Sequence, residues 1–235
     1  MSNALNFIEN EIITHSNASG VKLNCLKINS SVYNAEYQGN SNLNSVSVSS
    51  TATSIGDSAF HGCNNLDYVG FDSPSKINKI GGKAFANTLL ERFEMPSSVT
   101  EVGAGAFANC NYLYKVKWSK NCKTIPHNAF LNCRGLTNFH VPEGVEYISN
   151  GAFEGCENLA FVFLPDSIIS ISPTAFPPGI KIHTSSNIHW KDAVNWDGSP
   201  SKKLNDLRKI NDAKREANRQ KTEPQPEDFQ PKKAI

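Results

Sequence analysis

The chain has 235 residues, 39% of them hydrophobic and 19% charged, and a formal net charge of +1. Such a length suits one or two compact domains, and no run of eighteen apolar residues occurs, so no membrane span is expected. The composition is that of a folded domain carrying a charged tail.

Residues 1–40 open the chain without an obvious repeat. The stretch Met1–Asn10 has neither a basic region nor an uninterrupted apolar core, which argues against a classical signal peptide. Val21–Ile28 alternates apolar and polar residues like a strand. Residues 1–40 are therefore expected to form an N-terminal cap, because the first coil of a stacked repeat would otherwise expose an apolar end and unpaired strand edges.

From residue 41 a repeat takes over. Ala-Phe pairs end at Phe60, Phe85, Phe107, Phe130, Phe153 and Phe176, spaced by 25, 22, 23, 23 and 23 residues. A fixed period of this size signals a solenoid, in which each coil buries its apolar side chains only against its neighbours. Cysteine follows the phenylalanine by three residues and leucine by six: Cys63 and Leu66, Cys110 and Leu113, Cys133 and Leu136, Cys156 and Leu159. Apolar residues at the third and fifth positions after the leucine, as in Phe139 and Val141, predict a short strand with one buried face. A second apolar pair closes the coil: Val99 with Val102, Cys122 with Ile125, Val145 with Ile148, Ile168 with Ile171. The Ala-Phe pair that follows is expected on a short helical turn. One coil deviates, since Thr88 follows Phe85, Leu90 arrives one residue early, and the segment between Phe71 and Ile77 is longer than its counterparts.

Ser199-Pro200 ends this pattern. Residues 201–235 hold ten Lys or Arg and six Asp or Glu; Leu204, Leu207, Ile210 and Ala213 recur at a helical interval, and a Pro-rich end follows from Thr222. The expected domains are thus a cap over 1–40, a solenoid with its own C-terminal cap over 41–199, and a charged helical and Pro-rich tail over 200–235.

The run Cys-x-x-Leu-x-x-Val-x-Leu-Pro-x-x-Val-x-x-Ile-x-x-x-Ala-Phe resembles the BspA-like, or Treponema-type, leucine-rich repeat. The likeness covers roughly residues 41–199. It implies a right-handed stack of about six coils with parallel strands, closed by a terminal strand and an aromatic cap, to which Ile180-Lys181-Ile182, Trp190 and Trp196 correspond. It also implies a non-enzymatic protein-binding or adhesion module, often at the cell surface and directed at host or matrix proteins. The alternative is an intracellular or particle-associated scaffold, in which the solenoid is a spacer and residues 201–235 dock to a larger assembly.

Chemistry of other kinds finds little support in the residues. Four cysteines at one repeat position form a column, not the converging tetrahedron that zinc requires, and in-register side chains seldom present disulfide geometry. They read as buried small hydrophobes. His15, His61, His127, His140, His183 and His189 fall at unrelated offsets, and Gly81-Gly82 and Gly103-x-Gly105 are too short for a phosphate loop and read as turn glycines. No catalytic residue, metal or cofactor is expected. The basic tail is interrupted by acids and lacks a stacking platform, so nucleic acid is not an expected partner.

The informative surface is the outward side of the main strands. Its second-position column runs Ser45, Tyr68, Arg92, Lys115, Asn138, Phe161, and its fourth-position column Ser47, Gly70, Glu94, Lys117, His140, Phe163, with Lys181 assigned to the latter. Tyr68, Arg92, Lys115, Lys117, His140, Phe161 and Phe163 are the candidate protein-binding residues, since aromatic residues and arginine are enriched at interfaces.

Overall fold

The computed structural model describes residues 10–16 and 22–184. The expected Trp190–Trp196 cap and the tail over 200–235 lie outside these residues. In chain order the strands are β1 (Glu11–Ser16), β2 (Lys22–Ile28), β3 (Ser45–Val48), β4 (Ser54–Ile55), β5 (Tyr68–Phe71), β6 (Lys79–Ile80), β7 (Arg92–Glu94) and β8 (Glu101–Val102). They continue as β9 (Lys115–Lys117), β10 (Thr124–Ile125), β11 (Asn138–His140), β12 (Tyr147–Ile148), β13 (Phe161–Leu164), β14 (Ser170–Ile171) and β15 (Lys181–Thr184).

Two rows of parallel strands run along the stack. The front row comprises β2-β3-β5, β7-β9 and β11-β13-β15, and the back row β4-β6-β8 and β10-β12-β14. Period-2 alternation turns Val46, Val69, Phe93, Phe139, Val162 and Ile182 of the front strands into the interior, where all are buried. From the back, Val99, Val145 and Ile168 meet them with Val102, Ile125, Ile148 and Ile171. One continuous core results.

Between back and front strands lies the ring of each Ala-Phe pair. Phe60, Phe85, Phe107, Phe130 and Phe153 are fully buried and stack near-parallel, with centroids 5.5, 5.7, 5.5 and 5.2 Å apart. Phe176 extends the ladder at 5.2 Å from Phe153, and Tyr37 extends it at the other end at 5.5 Å from Phe60. Seven rings therefore mark seven coils, against about six read from the sequence. The additional coil comes from residues 22–40: β2 pairs in parallel with β3, Val32 bridges Ile55, and Tyr37 stands where later coils place phenylalanine. The antiparallel partner β1 closes this end of the row.

The Ala-Phe segment is not a helical turn; among the described residues there is no helix. Its N–H groups alternate in direction. Those of Ser58, Phe60 and Gly62 donate to Gly82, Ala84 and Ala86 of the next coil, whereas those of Ala59, His61 and Cys63 close turns within their own coil. Alternation of this kind needs left-handed backbone two residues before and after the ring, as at Ser58 and Gly62 (φ 55° and 73°) or Asn128 and Asn132 (φ 54° and 59°). Glycine and asparagine tolerate that conformation best. Before the ring the coils approach so closely that a Cβ on Gly103 would lie 2.3 Å from the Gly82 nitrogen. The N–H groups of Gly81, Gly82, Gly103 and Gly105 are all committed, to Ile55 O, Asp57 Oδ1, Ile80 O and His127 O, which leaves none for a phosphate.

The column cysteines are buried free thiols with a defined task. Cys63, Cys110, Cys133 and Cys156 donate from Sγ to the carbonyls of Tyr37, Phe85, Phe107 and Phe130 at 3.0, 3.1, 3.0 and 3.0 Å, reaching back one coil each time. In the coil that lacks cysteine, Thr88 donates to Phe85 O at 2.9 Å. Burial pushes the Cys133 thiol well above its ordinary range and that of Cys156 up to about 12.

Two outcomes follow. Phe130→Ala removes a ring contacted on both faces and should cost about 3–5 kcal/mol in chemical denaturation, lowering one cooperative transition because coils support their neighbours; a loss below about 1 kcal/mol would show that the ladder is not the core. A thiol raised from 9.0 in the unfolded chain to about 12 in the folded one contributes stability below pH 9 that is lost as pH rises toward 12. The urea midpoint should fall through that window less steeply in Cys156→Ala than in the parent, and Cys133 and Cys156 should resist thiol reagents until the chain unfolds.

Candidate protein-binding face

The front row presents two outward residues per coil, and strand register decides which of them are neighbours. Arg92 pairs with Lys115 and Glu94 with Lys117; Asn138 pairs with Phe161 and His140 with Phe163. At the last rung Phe161 faces Lys181 and Phe163 faces His183. Lys181 thus belongs to the second-position column, not the fourth as assigned from the sequence. The reason is that Pro177-Pro178-Gly179, with Gly179 at φ 83°, replaces the longer Cys-x-x-Leu segment of earlier coils and brings β15 in early.

This shift assembles an aromatic ladder on the face. The His140 and Phe163 rings stack at 4.2 Å with a 7° tilt, and His183 covers the other side of Phe163 at 5.2 Å. Phe161 lies 5.8 Å from the His183 ring, and the Lys181 ammonium stands 5.7 Å over Phe161. Phe161 and Phe163 are still 39% and 38% exposed, so each ring keeps a free edge. Sequence reasoning missed His183 because the repeat offset, counted from Phe176, gave no hint of the shortened turn.

Basic residues occupy the middle of the face. Arg92 donates to Tyr114 Oη at 2.6 Å and lies 5.7 Å over that ring, so one ring fixes the guanidinium while Lys115 and Lys117 stand exposed on the next strand. Tyr114 is a further aromatic of the site, one position before the columns considered in the sequence. Tyr68 projects at the upstream end, 52% exposed, with its hydroxyl close above Gly70, where a Cβ would lie 3.0 Å away. At the start of the strands the Asp67 carboxyl is pushed up, first by burial and then by the charge of Glu91.

The seven candidate residues do not form one compact cluster. They fall into a basic group on β7 and β9, with Tyr68 of β5 at its upstream edge, and an aromatic group on β11 and β13 that His183 of β15 extends. No group of three or more His, Cys, Asp or Glu among the described residues could hold a metal ion, and no helix among them is long and apolar enough to cross a membrane.

Phe161 and Phe163 are surface rings held only by neighbours on the same strand face, with one edge in solvent, so replacing them is cheap. Phe163→Ser should cost about 1–2 kcal/mol, the scale of one aromatic stack plus partial burial, and Phe161→Ser less. A loss comparable with Phe130→Ala would mean that another part of the chain covers the patch.

The profile of the BspA type leucine rich repeat region matches residues 2–74, 30–160 and 70–183, with six copies in all. The fold is similar to that of the T. pallidum leucine rich repeat protein, with 24% identity and a TM-score of 0.54 over 64% of this chain and 78% of that one. A leucine-rich repeat protein from Bacteroides ovatus aligns at 20% identity and a TM-score of 0.50 over 76% of this chain and 61% of that one. A leucine rich cell surface protein from Faecalibacterium prausnitzii aligns at 19% identity and a TM-score of 0.37, over 65% of this chain and 62% of that one. The chain thus spans about three-fifths of the length of these last two. Comparison with curated protein sequences finds no match.

Proposed function

We propose that this chain, which belongs to the BspA-type leucine-rich-repeat family, is an adhesion module that binds a protein partner through its front strand face. A repeat protein-interaction module is what the family supplies. The further reading rests on one observation above all: the ladder of His140, Phe163 and His183 leaves Phe161 and Phe163 partly exposed on the same face as Arg92, Lys115 and Lys117. Aromatic rings already immobilised by stacking lose little side-chain freedom on binding, which favours them as anchors. The lysines and the arginine, on β9 and β7 of the same face, place beside the aromatic group a positive charge that steers an acidic partner and sets orientation. Binding is non-catalytic in this reading, and the adhesion role carries display at the cell surface, on host or matrix protein, as its setting.

The test is binding of the full chain to a panel of purified extracellular-matrix proteins. Phe161→Ser with Phe163→Ser should weaken binding by about 2 kcal/mol or more, roughly thirtyfold. Lys115→Glu with Lys117→Glu should mainly slow association, and added salt should shrink that effect. Unchanged affinity in a folded double-serine variant would place the working surface elsewhere. Protease treatment of intact cells should remove the protein, and full protection would exclude display at the surface.

A further inference from the structure

A groove of about 900 Å³ runs beside the front face where the repeat is irregular. Its outer wall is the inserted segment between Phe71 and Ile77, including Pro74. Phe71, Pro74, Pro96 and the edge of Trp118 give it an aromatic and proline lining, and Arg92, Lys117 and Lys120 border it with three positive charges. Asp72 and Glu94 also line it. Grooves of aromatic residues and prolines bind extended Pro-rich segments, whose backbone loses little conformational freedom on docking.

The chain carries one such segment. Residues 223–228 read Glu-Pro-Gln-Pro-Glu-Asp, with three acids and no base, followed by Phe229, Pro231, Lys232 and Lys233. Pro224 and Pro226 fix their own φ, and each biases the residue before it toward extended backbone. We propose that residues 223–233 occupy this groove in the same molecule: Glu223, Glu227 and Asp228 against Arg92, Lys117 and Lys120, the prolines on the apolar lining, and Lys232 and Lys233 toward Asp72 and Glu94. Distance permits it. Roughly forty residues separate Thr184 from Glu223, which reach about 60 Å even if wound as helix, whereas β9 lies three strand spacings, about 14 Å, from β15. The groove shares Arg92 and Lys117 with the strand face, so a docked segment and a partner on that face compete for these two side chains.

Zero-length carbodiimide cross-linking of the full chain at high dilution, read by peptide mass spectrometry on the monomer fraction, tests it. Glu223, Glu227 and Asp228 should join to Lys117 and Lys120 in preference to Lys27 and to Lys181, which starts nearer the tail. In a variant with Pro224→Ala, Pro226→Ala, Glu227→Lys and Asp228→Lys, amide exchange over residues 71–76 and 117–120 should speed up about threefold or more, with residues 161–164 unchanged. Cross-links spread evenly over exposed lysines, or exchange unaltered by the variant, would overturn the proposal. So would cross-links confined to a dimer, which would make the occupant a second copy's tail.

Discussion

Everything in this molecule hangs on the hydrogen bond from each ring residue to the alanine carbonyl of the following coil. From Tyr37 to Phe153 the donors sit 2.7 to 2.9 Å from the acceptors at Ala59, Ala84, Ala106, Ala129, Ala152 and Ala175. The bond fixes coil over coil at a point midway between the two strand rows. It thereby sets ring over ring, since the side chain of the donor residue projects inward from the same backbone unit. Alanine beside it keeps the approach open. A larger residue would hold the coils apart and lengthen every bond in the ladder.

The cysteines follow from this arrangement. The carbonyls of Tyr37, Phe60, Phe107, Phe130 and Phe153 each accept the N–H of the residue three positions on within their own coil, which leaves a second acceptor site on each. A buried carbonyl has two acceptor sites, and a small side chain with a weak donor can use the second without desolvating a full hydroxyl. Cysteine from the next coil does this for Tyr37, Phe85, Phe107 and Phe130. Thr88 does a similar thing from within its own coil, and it also lies 3.3 Å from Cys110 Sγ, so the irregular coil remains tied to its neighbour. The column read in the sequence as buried small hydrophobes is thus also a set of interior hydrogen bonds.

Legibility of the sequence varied with how directly a position is set by burial. Phenylalanine, cysteine, leucine and the strand pairs stood out because each sits in the same interior slot in every coil. The coil around Tyr37 did not, because Glu36-Tyr37 replaces Ala-Phe and a half-exposed terminal ring tolerates a hydroxyl. The nature of the turns was hidden as well: Ala35, Ser58 and Lys83 occupy left-handed backbone where glycine or asparagine would have announced it. On the face, the inward and outward alternation of each strand could be read from its apolar residues, but register at the last rung could not. It depends on a turn three residues shorter than the repeat offset implies, and only pairing across the sheet reveals that His183, not Lys181, meets Phe163.

A solenoid surface is an array with one degree of freedom per coil. Front strands lie about 4.8 Å apart, so two outward positions per strand make a two-column grid in which the interior constrains spacing and leaves identity free. The chain uses that freedom unevenly. Basic residues gather on β7 and β9 and rings on β11, β13 and β15, with the inserted segment after Phe71 raising a wall beside the basic part alone. Because the grid is held rigid by the ring ladder beneath it, charge and aromatic surface keep a fixed separation along the stack. A partner that engages both groups must match that separation, so specificity can arise from the distance between two chemically plain patches without a deep pocket at either.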